Sequence, residues 1–98
     1  YKIGILTNMP TSFIPWFNRA AAAFRQLADA EVISGVEHIV KPDPAIYALM
    51  AARLDLPAAQ LCFFDDMLPN VEAAKNCGWH AAQFSTVSCA QAALAEMV

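Results

Sequence analysis

Apolar residues fall along the chain in two patterns, short continuous runs and runs at three- to four-residue spacing, which predict strands alternating with helices. Residues 2–6, KIGIL, form a β-type run that stops at the turn-rich segment TNMPTS. From residue 12 to about residue 28 the spacing predicts an amphipathic helix, with Thr11 or Ser12 as its N-cap and Pro15 in its first turn. The apolar positions of this helix are Ile14, Phe17, Ala21, Phe24 and Leu27.

The same alternation continues with EVISG, residues 31–35, as a second strand. A helix follows at KPDP, where Asp43 is placed to cap it and Pro44 occupies a position at which its missing N–H costs nothing. The segment DLP ends this helix. Its apolar face consists of Ile46, Tyr47, Leu49, Met50 and Leu54.

LCFF, residues 61–64, predicts the third strand. The next helix runs from about residue 69 to residue 76, with Gly78 as its C′ residue, and HAAQF predicts a fourth, weaker strand. A last helix extends from residue 88 towards residue 97. This β-α-β-α-β-α-β-α order predicts the α/β class, a parallel sheet with helices on both faces, and a length of 98 residues fits one domain.

Composition excludes several classes of protein. No apolar run approaches the roughly 18 residues of a membrane span, and no charged-then-apolar leader opens the chain, so neither membrane insertion nor export is expected. The net charge is −3 and the basic residues are scattered singly, so nucleic acid is not an expected partner. Cys62, Cys77 and Cys89 are odd in number and lack metal-binding spacing, which indicates reduced thiols in the cytoplasm.

Polar residues follow the predicted strands, either at their carboxyl ends or in the next loop, where parallel sheets bind ligands. Asp65 and Asp66 are costly beside a crevice unless a cation such as Mg²⁺ neutralises them. In the alternative, Asp66 caps the next helix and Asp65 is solvated. Lys41, held by a proline-stiffened loop, suits a phosphate or carboxylate; alternatively it is a solvated surface lysine.

Thr7 and Asn8 offer a hydroxyl, an amide and backbone N–H groups to an anion, and their alternative role is helix capping. We expect all these polar residues to converge on one edge of the sheet. His38 and His80 have no second ligand at metal spacing and are predicted in a loop and a strand. Packing explains Trp16, Phe17, Phe24 and Trp79.

Taken in order, ILTN, SGVEHIVKPDPAIY and LCFFDDMLPNVEAAKNCGWHAAQF resemble the second, third and fourth motifs of the haloacid dehalogenase superfamily of hydrolases, closest to its phosphatase-like members. The resemblance covers residues 3–84 and implies a Rossmann-like core. It assigns a hydrogen bond with the transferring phosphoryl group to Thr7 and substrate contact to Asn8. Lys41 then stabilises negative charge on nucleophile and phosphate, Asp65 is a Mg²⁺ ligand, and Asp66 supports the metal directly or through water.

The implied function is that of a Mg²⁺-dependent phosphatase acting on a small phosphorylated metabolite through an aspartyl-phosphate. Two residues depart from the family pattern, because His38 stands where many relatives have Gly and Asn70 where some carry a further acid. The rival within the superfamily is a 2-haloacid dehalogenase, which needs no metal. Its relatives tend to have Ser and Asn at the positions of Asp65 and Asp66, so these acids favour the phosphatase.

The family's first motif, a strand ending in Asp-x-Asp that supplies the nucleophile and the general acid/base, occurs nowhere in the 98 residues. In the family that strand lies between those carrying Thr7 and Asp65, so the resemblance implies an incomplete sheet with two apolar edges. The chain also begins at Tyr1 with a strand and no initiator Met. We therefore expect residues 1–98 to be the C-terminal part of a core domain.

A missing N-terminal segment, which would also carry most of the cap domain, or a second chain is expected to supply the central strand. A homo-oligomer is compatible with this interpretation. The alternative outside the enzymes is a catalytically silent module for binding or oligomerisation: the missing nucleophile favours it, and the presence of Lys41 together with Asp65 disfavours it.

Overall fold

The structure is a computed structural model that describes residues 1–97, with the backbone alone at positions 87, 89, 90 and 97 of the last helix. The chain divides into two compact units, Tyr1–Asp55 and the residues from Leu56 onward. Within the described residues, every helix is too short or too polar to span a bilayer.

The first unit contains a pair of parallel strands. Thr7, the last residue of β1, lies opposite Ile33, the last residue of β2, so both strands end at the same edge of the sheet. In chain order the elements are β1 (Gly4–Thr7), a 3-10 turn (Thr11–Phe13), α1 (Ile14–Ala20), α2 (Ala22–Gln26), β2 (Ala30–Ile33), α3 (Ser34–Glu37) and α4 (Pro44–Leu54).

The second unit contains another parallel pair, in which Cys62 lies opposite His80 and Asp65 opposite Gln83. Its elements are a 3-10 turn (Ala58–Gln60), β3 (Cys62–Asp65), α5 (Leu68–Asn76), β4 (His80–Gln83) and α6 (Val87–Met97). Among the described strands, the two pairs form separate two-stranded sheets. The predicted α/β class with parallel strands is therefore confirmed, and so are the third and fourth strands and the last helix.

Helices cover both faces of the first strand pair. On one face, Ile5 and Ile33 pack with Phe17 of α1. Side chains alternate along a strand, so Gly4 belongs to the opposite face. A Cβ built there would lie 2.8 Å from Sδ of Met50 in α4. The expectation of helices on both faces thus holds within this unit.

Helix α4 begins and ends where the sequence predicts. The Asp43 carboxylate accepts a hydrogen bond from the backbone N–H of Ala45 at 3.0 Å, and Pro44 is the first helical residue. The helix ends at Asp55 in the left-handed conformation. Four of the five predicted apolar positions are buried, namely Ile46, Tyr47, Met50 and Leu54, and Leu49 is half-buried.

The single helix predicted from residue 12 to about residue 28 is wrong. A 3-10 turn precedes α1, and neither Thr11 nor Ser12 is a cap, because the N-cap of α1 is Phe13 and makes no side-chain bond. The helix is then interrupted at Ala21, whose φ of −117° and ψ of 16° leave the helical region. Neither Gly nor Pro stands at this point to mark the break in the sequence.

The break changes which aromatic side chains are buried. Phe17 is buried, but Phe24 and Leu27 are 59% and 65% exposed. An apolar stripe persists only along an uninterrupted helix, so the stripe through Phe17 does not continue past Ala21. Trp16, also predicted to pack, is 59% exposed. It lies about 100° round the helix from Phe17, on the outer side.

Arg25 ties α2 to both of its neighbours. Its guanidinium carbon lies 4.5 Å from the centre of the Phe17 ring. Nε and one terminal nitrogen each donate to a separate oxygen of Glu31 in β2 at 2.6 Å. The hydrogen bond with Glu31 raises the pKa of Arg25. The second half of the predicted helix is therefore oriented by a polar contact with the strand.

In the second unit, two buried aromatic rings pack against each other. Phe63 meets Trp79 edge to face with ring centres 5.9 Å apart, which confirms the packing role of Trp79. Helix α5 ends as predicted, with Gly78 at a φ of 88°. Strand β3 includes Asp65, one residue beyond the predicted end, so this carboxylate is part of the sheet rather than of the loop.

Candidate active site

Asn8 and Lys41, separated by 33 residues, are joined by two hydrogen bonds. The Lys41 backbone N–H donates to Oδ1 of Asn8 at 2.9 Å, and Nδ2 of Asn8 donates to the Lys41 carbonyl at 3.1 Å. The loop after β1 is therefore bound to the loop before α4. Neither Thr7 nor Asn8 caps a helix, since the N-caps that follow them are Pro10 and Phe13.

Lys41 is held at its side chain as well as at its backbone. Its Nζ donates to the carbonyl of Leu6 at 3.2 Å, which places the ammonium group at the carboxyl end of β1. The side chain is half-buried, and the peptide between Lys41 and Pro42 is cis. The side chain is thus held at the end of the strand while part of it remains exposed, and its contact with an anion stays a prediction. A cation at the carboxyl end of a strand is suited to binding an anion.

Ser34 and Gly35, two residues that the sequence analysis did not single out, hold the loop that carries Asn8. The buried Ser34 hydroxyl accepts from Met9 N–H at 2.8 Å and donates to the Met9 carbonyl at 3.3 Å. Gly35 N–H donates to the same carbonyl at 2.9 Å. Ser34 starts α3, so β2 ends two residues earlier than predicted. A small polar residue followed by Gly at a strand end was the available signal.

Asp65 lies at the end of β3 and is only 8% exposed. Its Oδ1 accepts from Met67 N–H at 2.8 Å, and its Oδ2 accepts from Nδ2 of the buried Asn70 at 3.3 Å. Asp66 is exposed, and the N-cap of α5 is Met67. The alternative in which Asp66 caps the helix and Asp65 is solvated is therefore wrong.

The chemistry of these groups fits a hard cation. Two adjacent carboxylates supply oxygen ligands, and Mg²⁺ is commonly bound through one or two carboxylates while it keeps several waters. Within the described residues there is no group of three or more His, Cys, Asp or Glu side chains that could hold a metal ion. This donor set suits Mg²⁺ better than zinc, which prefers nitrogen and sulfur ligands. Asp65 and Asp66 are the residues that would hold it.

Two further residues near these acids were not assigned a role from the sequence. Gln83, which lies opposite Asp65 on β4, donates from Nε2 to the Asp66 carbonyl at 3.1 Å. Asn70 was noted only for the absence of an acid, yet it is buried against Asp65. The available signal was a polar residue on the first turn of the helix that follows an acid-terminated strand.

The structure thus brings Thr7, Asn8 and Lys41 together in the first unit, and Asp65 and Asp66 in the second. The convergence of these two groups on one edge stays a prediction. His38 ends α3 in the left-handed conformation, with a φ of 60°.

His80 is in β4 as predicted, and its Nε2 lies 3.1 Å from the Ala59 carbonyl oxygen. Cys62 and Cys77 are free thiols, whereas the side chain of Cys89 lies outside the described residues.

Comparison with known proteins identifies the family. A family model of haloacid dehalogenase-like hydrolases matches residues 1–78. The chain belongs to this family. The matched range includes all five candidate residues, Thr7, Asn8, Lys41, Asp65 and Asp66.

The chain is similar to phosphatase MT3486 of Mycobacterium tuberculosis, with which it is 32% identical over 80 residues. The match covers 82% of the chain but only 37% of that phosphatase, so the chain spans little more than a third of this curated relative.

Two solved structures have the same fold. An uncharacterised protein from Corynebacterium glutamicum superposes with a TM-score of 0.82 and 23% identity, covering 98% of this chain and 69% of the other. A haloacid dehalogenase family enzyme from Bacteroides thetaiotaomicron, in complex with magnesium and inorganic phosphate, gives a TM-score of 0.80 at 17% identity. That match covers 89% of this chain and 46% of the enzyme. Both confirm the predicted Rossmann-like fold. The chain corresponds to only part of each of these two proteins.

Proposed function

We propose that the protein to which this chain belongs is a Mg²⁺-dependent phosphatase acting on a small phosphorylated metabolite. The observation that carries the proposal is the buried Asp65, held at the end of β3 by Met67 N–H and Asn70 and followed by a second carboxylate. The similarity to a mycobacterial phosphatase supports it. Two adjacent carboxylates at the end of a strand offer oxygen ligands of the kind through which proteins bind Mg²⁺.

Four of the candidate residues have a direct role in this reaction. The Thr7 hydroxyl donates to an oxygen of the transferring phosphoryl group, and the Lys41 ammonium offsets negative charge on that group and on the nucleophile. Asp65 and Asp66 hold Mg²⁺, which supplies charge neutralisation when it is bound. These roles divide the work between positioning and electrostatic stabilisation, the two terms that dominate phosphoryl transfer.

The nucleophile lies outside these residues in our proposal, because no Asp-x-Asp sequence occurs in the chain. An aspartate on the missing central strand attacks phosphorus, the bond from phosphorus to the leaving oxygen breaks, and that oxygen takes a proton from the second aspartate. Water then hydrolyses the aspartyl-phosphate and releases inorganic phosphate. Residues 1–98 are thus the C-terminal part of the core domain in this proposal.

The central strand comes from a preceding segment or from a second chain, and a second copy of the protein is one candidate partner. The match to only 37% of the mycobacterial phosphatase supports the first source. We place the protein in the cytoplasm, where Cys62 and Cys77 remain reduced.

Phosphate release by the full-length protein tests the function. The protein is assayed on a panel of phosphorylated metabolites, with EDTA and then with Mg²⁺ added back. We expect activity to disappear with EDTA and to return with Mg²⁺. Lys41→Met and Asp65→Asn are each expected to lose about 100-fold or more in kcat, as removal of other transition-state-stabilising groups does. Lys75→Met and Glu72→Gln change exposed residues on α5 and serve as matched controls.

Three outcomes would replace the proposal. Halide release from 2-haloacids that survives EDTA would make the protein a dehalogenase. Phosphate release that persists in Asp65→Asn would remove Asp65 from the metal site. A full-length protein that is folded but has neither activity would favour the silent module.

A further inference from the structure

We propose that Asn8 is a positioning residue that acts through Lys41, rather than a group that binds substrate. The inference rests on the proposed function, in which Lys41 stabilises the transferring phosphoryl group. It replaces the role that the family resemblance assigns to Asn8.

The amide of Asn8 is committed at both ends to one residue. Oδ1 accepts from Lys41 N–H at 2.9 Å while Nδ2 donates to the Lys41 carbonyl at 3.1 Å. A side-chain amide has a single plane, so two bonds from its opposite ends fix that plane and its rotamer. These two bonds give the Lys41 backbone N–H and carbonyl the partners that a neighbouring β-strand would otherwise supply. They therefore fix the Lys41 backbone, although it is not paired in a sheet.

Lys41 is tied to the same short segment at its other end. Its Nζ donates to the carbonyl of Leu6, two residues before Asn8, at 3.2 Å. A lysine side chain has a flexible four-carbon stem, so its ammonium samples a wide volume unless both its base and its tip are held. Loss of the Asn8 contact therefore releases the base of the side chain and spreads the positions that the ammonium occupies.

The support under Asn8 is itself rigid. The residue after it, Met9, is bound at its N–H by the Ser34 hydroxyl at 2.8 Å and at its carbonyl by Gly35 N–H at 2.9 Å. Met9 is also buried in the core cluster with Phe17 and Ile33. A side chain that positions another residue has to stand on such a fixed base.

A double-mutant cycle in the full-length enzyme separates positioning from substrate contact. Asn8→Ala is expected to lower kcat by about 10- to 100-fold with little change in KM, because a displaced catalytic group costs rate rather than binding. In the Lys41→Met background, the same substitution is expected to change kcat less than twofold. Asn76→Ala, at an exposed position on α5, is the control. Equal losses from Asn8→Ala in both backgrounds would overturn the proposal in favour of direct substrate contact.

Hydrogen exchange tests the contact without turnover. In the full-length protein without substrate, Asn8→Ala should accelerate exchange of the Lys41 backbone N–H at least tenfold, while the Val32 N–H in β2 stays unchanged. Unchanged exchange at Lys41 would overturn the proposal. If Asn8→Ala does not fold, Asn8→Asp keeps the acceptor and should preserve this protection. If the full-length protein is folded but inactive, the proposed phosphatase function is wrong. The exchange result still decides whether Asn8 holds Lys41.

Discussion

Nδ2 of Asn70 donates to Oδ2 of Asp65 over 3.3 Å, so a buried amide on the first turn of α5 holds one oxygen of a buried carboxylate at the end of β3. The other oxygen of Asp65 accepts from Met67 N–H. The N-cap and the first turn of α5 therefore orient this carboxylate from both sides. The residue at position 70 therefore decides whether a second negative charge lies next to Asp65.

Asn70→Asp is expected to destabilise the protein by about 1–3 kcal/mol at neutral pH without metal, because a hydrogen bond becomes a contact between like charges. Mg²⁺ should raise the Tm of this variant more than that of the wild type. Thermal unfolding of the full-length protein in EDTA and in Mg²⁺ measures both effects.

Asn76→Asp, on the exposed end of the same helix, should behave as the wild type does. An Asn70→Asp protein whose Tm responds to Mg²⁺ no more than the wild type would argue against a cation at Asp65.

Gly35→Ala is expected to destabilise the protein by about 1–3 kcal/mol through overpacking. The added Cβ would lie 2.6 Å from the Met9 carbonyl oxygen and 2.7 Å from the Thr11 nitrogen, both of them backbone atoms. Gly4→Ala is the matched control, because its Cβ meets the flexible Met50 side chain at 2.8 Å. Urea unfolding midpoints compare the two, and an equal or larger loss in Gly4→Ala would contradict the prediction.

Asp43→Ala should cost about 0.5–2 kcal/mol, since it removes the acceptor that Asp43 offers to Ala45 N–H at the start of α4. Asp43→Asn keeps a capping oxygen, so its free energy of unfolding should fall by only about a few tenths of a kcal/mol. Urea unfolding midpoints of the two variants make the comparison. Similar losses in both would mean that the charge, rather than the cap, stabilises this helix.

Ile46→Ala is expected to cost about 2–5 kcal/mol, because Ile46 has no exposed surface and its loss leaves a cavity under α4. Val36→Ala, at a side chain that is 48% exposed, should change stability by no more than about 0.5 kcal/mol. Calorimetric Tm values check the pair. A comparable loss of stability in Val36→Ala would contradict the assignment of Ile46, rather than Val36, to the core.

Local signals explain which elements were predictable from the sequence. Asp43 and Pro44 define the start of α4 with groups that act within one turn, and Gly78 marks the end of α5 by its φ of 88°. The break at Ala21 could not be predicted, because an alanine-rich segment favours a continuous helix. The contact of Arg25 with Glu31 could not be predicted either, because it joins two separate elements. The exposure of Phe24 follows from that break.

The candidate site shows the same division. Thr7, Lys41 and Asp65 were identifiable because each stands at or near the end of an apolar run. The partners that hold them were not, since the bonds from Asn8 to Lys41 and from Ser34 to Met9 join residues 33 and 25 positions apart. Asn70 is close to Asp65 in sequence, but only burial shows that its amide faces the carboxylate.

By itself the sequence determined the alternation of strands and helices, the parallel α/β class and the residue types available for chemistry, because period and composition act locally. Only the tertiary structure decided that Asp65 is buried and oriented while Asp66 is exposed, and that the Asn8 amide is bonded to Lys41. Hydrogen-bond partners distant in sequence become neighbours only when parallel strands bring their carboxyl ends to one edge, and no local pattern records that choice of partner.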